Sequence, residues 1–183
     1  MKFYYRLYVD GSAIGNRNVD ADTPAGWAVV CIQTKIGDDS HSSGKLQTEL
    51  SGRVITDEGT AQFIGAEVGS NNTGELSAIY HALKHIEFGD QFNPEGTNYV
   101  IYGDSLYAGK MAQGEWFAKE NKALVKRVHN LWTRLKMAGI NFSWSHVKAH
   151  SGHLWNERAD HLALYEANRE TPVPINEWLA KHK

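Results

Sequence analysis

Residues Ala25–Thr34 read AGWAVVCIQT, a mostly apolar run. With so little polar alternation it predicts a strand buried on both faces, not one with a wet side. The flanking sequence is organised around it. Upstream, Phe3–Val9 predicts a first strand ending at Asp10-Gly11-Ser12, and the polar stretch Asn16–Pro24 predicts a loop. Downstream, Lys35–Gln47 is polar, with Gly, Asp and Ser, and predicts a second loop. Leu50–Ile55 and Ala61–Val68 predict two further strands, with a turn at Asp57-Glu58-Gly59 between them.

Helical spacing first appears at Leu76, Ile79, Tyr80, Leu83 and Ile86, with Asn72 or Thr73 as the cap. Gly89–Gly96, which contains Pro94, breaks that helix. Tyr99–Tyr102 predicts a short strand closed by Gly103-Asp104-Ser105, then a short helix from Ser105 to about Met111. A longer helix carries Leu124, Val128, Leu131, Trp132 and Leu135 on one face and stops at Gly139. Ile140–His146 alternates Ile, Phe and Trp with Asn and Ser, the pattern of a half-exposed strand. A loop with Gly152 leads to a last long helix over Trp155–Ala167, and the tail, with Pro172 and Pro174, is irregular up to a short helix near Trp178. The order is several β, then α, β, α, α, β, α. This is the α/β class, a mixed β-sheet flanked by α-helices. Residues 1–167 are expected to form one domain and 168–183 a C-terminal tail.

Composition narrows the function classes. At 183 residues, with 42% hydrophobic and 22% charged, the chain can bury a core of its own. No apolar run is long enough to span a bilayer, and the N-terminus lacks a signal-peptide pattern. The single cysteine, Cys31, excludes an intrachain disulfide scaffold. No membrane association and a cytoplasmic location are therefore expected. A net charge of −2 gives no sign of nucleic acid by itself. It does not oppose it either, since carboxylates gathered at a metal site offset a basic face elsewhere.

Four acids occupy informative positions. Asp10 and Asp104 each end a strand before a small residue, Glu75 is expected in the first turn of the first helix, and Asp160 lies within the last long one. Sites in open α/β sheets form beyond the carboxyl ends of strands, where such acids can meet. Packed together they repel one another. Divalent cations remove that repulsion, and Mg²⁺ favours hard oxygen ligands. Each acid alone also has a plainer reading: a turn residue at Asp10, a helix-dipole partner at Glu75, a strand-end acid at Asp104, a solvated helix acid at Asp160.

Their surroundings decide between the two readings. Tyr8-Val9-Asp10-Gly11-Ser12, Ser70-Asn71-Asn72-Thr73-Gly74-Glu75-Leu76, Tyr102-Gly103-Asp104-Ser105 and His146-Val147-Lys148-Ala149-His150-Ser151-Gly152-His153 with Asn156-Glu157-Arg158-Ala159-Asp160 resemble the type 1 ribonuclease H family, in the family's order, from Phe3 to Ala167. The resemblance implies a ribonuclease H-like fold and an endonuclease that cuts the RNA strand of an RNA–DNA hybrid, leaving 5′-phosphate and 3′-hydroxyl ends. It implies two Mg²⁺ ions, with Mn²⁺ able to replace them. Asp10 would bridge both ions, Asp160 would complete one site, and Glu75 with Asp104 the other. His150 matches the family's mobile histidine, which assists proton transfer or product release. Asn71 and Asn72 match residues that touch the hybrid's minor groove, and Gly11 and Ser12 lie on the turn beside them. The chain is expected to act as a monomer.

Three features depart from the family's pattern. The region around 35–65 is enlarged, which predicts an added strand or an extended hairpin. Leu106 stands where many members carry a polar side chain. The basic handle between the two middle helices is missing, leaving only Gly109–Lys122 with Trp116-Phe117. Lys119, Lys122, Lys126 and Arg127, or Lys181 and Lys183, either replace that phosphate grip or form a solvated face. Trp116 either stacks on a nucleotide or packs between helices. His146, His150 and His153 lack the context of a zinc site, and His81 with His85 reads as a solvated pair. Two other classes stay open: a catalytically weak hybrid-binding module of a reverse transcriptase or mobile element, and a related-fold nuclease with another substrate. The Met1 start directly before the first strand favours a free-standing enzyme.

Overall fold

In this computed structural model, which describes residues 3–15, 18–38, 40–93, 95–149 and 153–182, five strands form one sheet in the order β3-β2-β1-β4-β5. Strands β1 (Phe3–Ala13), β2 (Ala25–Lys35) and β3 (Lys45–Arg53) are antiparallel neighbours. On the other side of β1, strands β4 (Asn98–Gly103) and β5 (Phe142–His146) run parallel to it. The helices are α1 (Asn71–Asp90), α2 (Leu106–Gln113), α3 (Lys122–Met137), α4 (Leu154–Asn168) and α5 (Ile175–Lys181). No helix among the described residues is long and apolar enough to cross a membrane.

The AGWAVVCIQT run is buried on both faces, for the reason its composition gives. Successive strand side chains point to opposite faces. Leu7 and Val9 of β1, with Val29 and Cys31 of β2, enter a core built with α1, α2 and α3. Tyr8, Ala28, Val30 and Ile32 enter a second core with Trp155, Ala159, Leu162 and Ala163 of α4. Helix α5 lays Ile175 and Leu179 against this second core and buries Trp178. Arg158 fixes the tail there: it pairs with Glu49 on β3 through both carboxylate oxygens at 3.0 Å and donates to the Val173 carbonyl.

Three sequence expectations need correction. Residues 61–68 do not form a strand. Their alternation comes from single anchors, Ile64 and Ala66, sunk into the core, and Gly65 at φ +116 passes so close to α3 that a Cβ would lie 2.9 Å from the Leu124 nitrogen. Strand β3 instead begins at Lys45, inside the stretch that reads as loop, because an edge strand keeps polar side chains. The enlarged 35–65 region thus supplies β3, paired antiparallel with β2, and among its described residues no second strand. Helix α1 starts earlier than expected: Ser70 is its N-cap, its hydroxyl accepting from the Thr73 amide while the Thr73 hydroxyl accepts from the Ser70 amide. Glu75 therefore lies beyond the first turn, and the helix-dipole reading of it lapses. Replacing Ser70 by Ala should cost about 1 kcal/mol. That corresponds to a melting temperature roughly 2–4 °C lower, and an unchanged thermal transition would contradict the reciprocal cap.

Candidate active site

Strands β1 and β4 run parallel and side by side, so their carboxyl ends open in the same direction. Asp10 projects there from β1, and Asp104 follows directly after β4. The end of β4 is held by Val147, whose amide donates to the Gly103 carbonyl at 2.8 Å, and by His146, whose Nε2 donates to the Asp104 carbonyl at 3.0 Å. Ser105 then caps α2, accepting from the Ala108 amide.

Glu75 reaches the same place because two glycines let α1 touch β1. A Cβ on Gly11 would lie 2.2 Å from the Glu75 nitrogen, and one on Gly74 would lie 2.7 Å from the Gly26 carbonyl oxygen and 2.9 Å from the Gly11 Cα. Contact of backbone on backbone brings the helix close enough to set Glu75 against Asp10. Sequence reasoning missed the role of Gly74, although a glycine inside a helical pattern, unfavourable by about 1 kcal/mol against Ala, is the kind of signal that marks such an approach.

One carboxylate oxygen from each of Asp10, Glu75 and Asp104 lies within 4.8 Å of the other two. Asp10 is 3% exposed and Glu75 5%, while Asp104 and Asp160 are half-buried at the rim. Burial raises the Asp10 carboxyl well above its ordinary range; a hydrogen bond with Glu75 opposes this, and the charges of Asp104 and Asp160 add to it. Burial likewise raises Glu75, and Asp10 and Asp104 push it further up, against an opposing hydrogen bond from the Gly11 backbone. Glu75 Oε2 is buried and has no hydrogen-bond partner among the described residues. A buried carboxylate oxygen without a partner is costly in a protein alone. It is an ordinary ligand for a divalent cation, and a set of hard oxygen donors suits Mg²⁺. The residues present therefore fit the ions that the sequence implied. Asp160 is not one of these three, and its negative charge helps to raise Asp10.

The other expected site residues divide. Asn71 turns its Oδ1 to accept from the Ala13 amide at 2.8 Å, tying α1 to the end of β1 next to Ser12. Asn72 is exposed beside it. Gly11 packs against α1. Trp116, at 44% exposed, is not the helix-packing residue that one reading made it, and Phe117 next to it is 93% exposed. His150 lies outside the described residues. Among those residues, Asp10, Glu75 and Asp104 are the one group of three or more side chains placed to share an ion, and His146 and His153 belong to none. His81 is not solvated as expected: it stacks on Trp27 with ring centroids 3.7 Å apart, and burial lowers its pKa to about 4.

The sequence profile of the family described as RNase H matches residues 3–168. A curated relative named Ribonuclease H from Shewanella amazonensis is 31% identical over 183 residues, covering 93% of this chain and 92% of its own length. Another of that name, from Anaplasma marginale, is 30% identical over 172 residues, covering 92% and 93%. Among solved structures, LC9-RNase H1, a type 1 RNase H with the type 2 active-site motif, matches with a TM-score of 0.63 at 22% identity, covering 98% of this chain and 82% of that one. LC11-RNase H1 in complex with RNA/DNA hybrid matches with a TM-score of 0.60 at 23% identity, covering 90% and 97%. The two structures share the fold of this chain, a mixed five-stranded sheet flanked by helices, and the relatives bear out the resemblance carried by the four acid-bearing motifs. This chain belongs to the RNase H family, a family of endoribonucleases.

Proposed function

We propose that this chain hydrolyses the RNA strand of RNA–DNA hybrids, leaving a 5′-phosphate and a 3′-hydroxyl. The observation that carries this is the buried Asp10–Glu75 pair, with Asp104 within 4.8 Å and the unpartnered Glu75 Oε2, in a chain whose residues 3–168 match the family. That LC11-RNase H1 has been solved with an RNA/DNA hybrid supports the substrate class. Asp10, Glu75, Asp104 and Asp160 would hold two Mg²⁺ ions, or Mn²⁺ in their place. When bound, the ions supply charge neutralisation and Lewis acidity at the phosphate. A water oxygen attacks phosphorus, the bond to the 3′-oxygen breaks, and that oxygen leaves with a proton. His150 serves as the proton carrier, a role suited to an imidazole. All four acids come from one chain, so a monomer suffices.

Selectivity for RNA rests on the 2′-hydroxyl, which both donates and accepts. The last residues of β1, Gly11-Ser12-Ala13, and the start of α1 form one surface, because Asn71 joins them. The RNA strand lies along this surface, with Glu75 accepting from a 2′-hydroxyl, and the DNA strand passes Asn72 and the exposed Trp116. Labelled hybrid, duplex RNA, duplex DNA and a four-way junction, incubated in parallel with Mg²⁺, test this reading. The RNA strand of the hybrid alone should be cut. Preferential cutting of duplex DNA or the junction would make the chain a nuclease of the same fold with another substrate.

A further inference from the structure

We propose that His41, in the loop between β2 and β3, is a positioning residue for the acidic site, an inference that rests on the function proposed above. His41 touches one residue that shortly precedes each of three acids, Asp10, Asp104 and Asp160. Its Nδ1 lies 2.7 Å from the Tyr8 hydroxyl, and its ring meets Tyr8 edge-on at 5.8 Å. It meets Tyr102 edge-on at 4.9 Å and stacks on His153 at 4.3 Å with the planes 19° apart. Tyr8 precedes Asp10 by two residues on β1 and so shares its face of the sheet. Tyr102 stands in the same relation to Asp104 at the end of β4. His153 is the N-cap position of α4, two helical turns before Asp160.

Asp38, Ser40 and Ser43 of the same loop are each tied by hydrogen bonds. The buried Arg6, on the same face of β1 as Tyr8 and Asp10, donates through its two terminal nitrogens to the carbonyls of Asp38 and Ser40. Within the loop, Ser43 donates to the Asp38 carboxylate at 2.6 Å. Trp155 on α4 donates through Nε1 to the Ser43 carbonyl at 3.3 Å. The enlarged region thus serves as a strut: Arg6 anchors it from the sheet, Trp155 from α4, and His41 fills the angle between β1, β4 and the start of α4. Groups that orient metal ligands without touching the ion commonly change metal affinity or activity by about 10–100-fold. Loosening the angle lets the acids relax apart when no cation is present, so the cation must draw them together again at the expense of its own binding.

The test separates positioning from simple stability. Thermal transitions are measured for wild type and His41→Ala, each with and without saturating Mg²⁺ and without substrate, alongside kcat and KM on the hybrid. Loss of packing lowers both transitions equally. Loss of positioning also shrinks the Mg²⁺-induced rise, by about 3–6 °C for a tenfold weaker site, and lowers kcat about tenfold at unchanged KM. The double variant His41→Phe with Tyr8→Phe keeps the rings and removes both polar partners, and it should recover most of each loss. If His41→Ala does not fold, Tyr8→Phe alone carries the same test through the hydrogen bond, with a smaller loss in the same direction. An undiminished Mg²⁺ rise and an unchanged kcat would overturn the proposal, and so would a wild type whose transition ignores Mg²⁺. A wild type that gains stability from Mg²⁺ but leaves the hybrid intact would instead overturn the function proposed above, since the thermal comparison uses no nucleic acid.

Discussion

Replacing Asp10 by Asn is expected to reduce hybrid cleavage by about 10³-fold or more while making the metal-free protein more stable. The two effects share a cause. Asp10 is the acid at the centre of the cluster, in contact with Glu75 and within the fields of Asp104 and Asp160. A cation at such a site contributes several kcal/mol to transition-state stabilisation, and each ~1.4 kcal/mol is a factor of ten in rate. Without a cation the same carboxylate is a liability, because burial and like charges raise the pKa of both Asp10 and Glu75. A carboxyl whose pKa is raised on folding holds its proton more tightly in the folded state than in the unfolded one. The contribution of these two acids to stability in EDTA is therefore most favourable in acid and falls as pH climbs from the ordinary carboxylate range through the raised folded values. Asparagine removes one charge and keeps the shape. The variant should melt higher than wild type in EDTA at neutral pH, by roughly 2–4 °C for each kcal/mol relieved, with a flatter dependence on pH. In Mg²⁺ the order should reverse, because only the wild type gains full ion binding. Calorimetry of both proteins in the two buffers checks this. A variant that melts lower than wild type in EDTA would remove the repulsive cluster from the account.

The second large effect concerns the glycine contact that places Glu75. Gly11→Ala would put a Cβ 2.2 Å from the Glu75 nitrogen and 2.3 Å from the Gly74 carbonyl carbon. These neighbours are backbone atoms of a strand and a helix, so no rotamer change relieves the clash, and α1 must move off β1. Overpacking of a well-packed interior commonly costs 1–3 kcal/mol and sometimes more, and rigid backbone on both sides puts this case at about 3 kcal/mol or above. The melting temperature should fall by roughly 6–12 °C. Activity should fall further than stability explains, because displacing α1 draws Glu75 away from Asp10, and misplacement of about 1 Å can cost 10²-fold. Gly74→Ala should act in the same direction through the Gly26 carbonyl and the Gly11 Cα. Folded Gly11→Ala protein with wild-type turnover would show that the close approach does not position the acid.

The strands and helices were legible where periodicity was strong. The apolar run of β2 and the spacing of Leu124, Val128, Leu131, Trp132 and Leu135 on α3 each commit to one answer, and both cores follow from them. Periodicity misled where the chain is anchored point by point, as at Ile64 and Ala66, and where an edge strand is polar, as at Lys45–Glu49. The four acids were legible only through their motifs, since an isolated Asp-Gly or helix Asp carries little information. The structure added what no local pattern holds. Gly74 matters because of Gly11, and His41 because of Tyr8, Tyr102 and His153, partners far apart in the sequence. Asn71 shows the converse: read as a substrate contact, it also braces the end of β1 through the Ala13 amide.

Cleavage of an end-labelled RNA strand within a hybrid, first in excess EDTA and then after Mg²⁺ is added to the same reaction, bears most directly on the central claim. The account predicts an intact strand in EDTA, then internal cuts confined to the RNA, with 5′-phosphate and 3′-hydroxyl ends, once Mg²⁺ exceeds the chelator. Cutting that proceeds in EDTA, or cuts in the DNA strand, would contradict it.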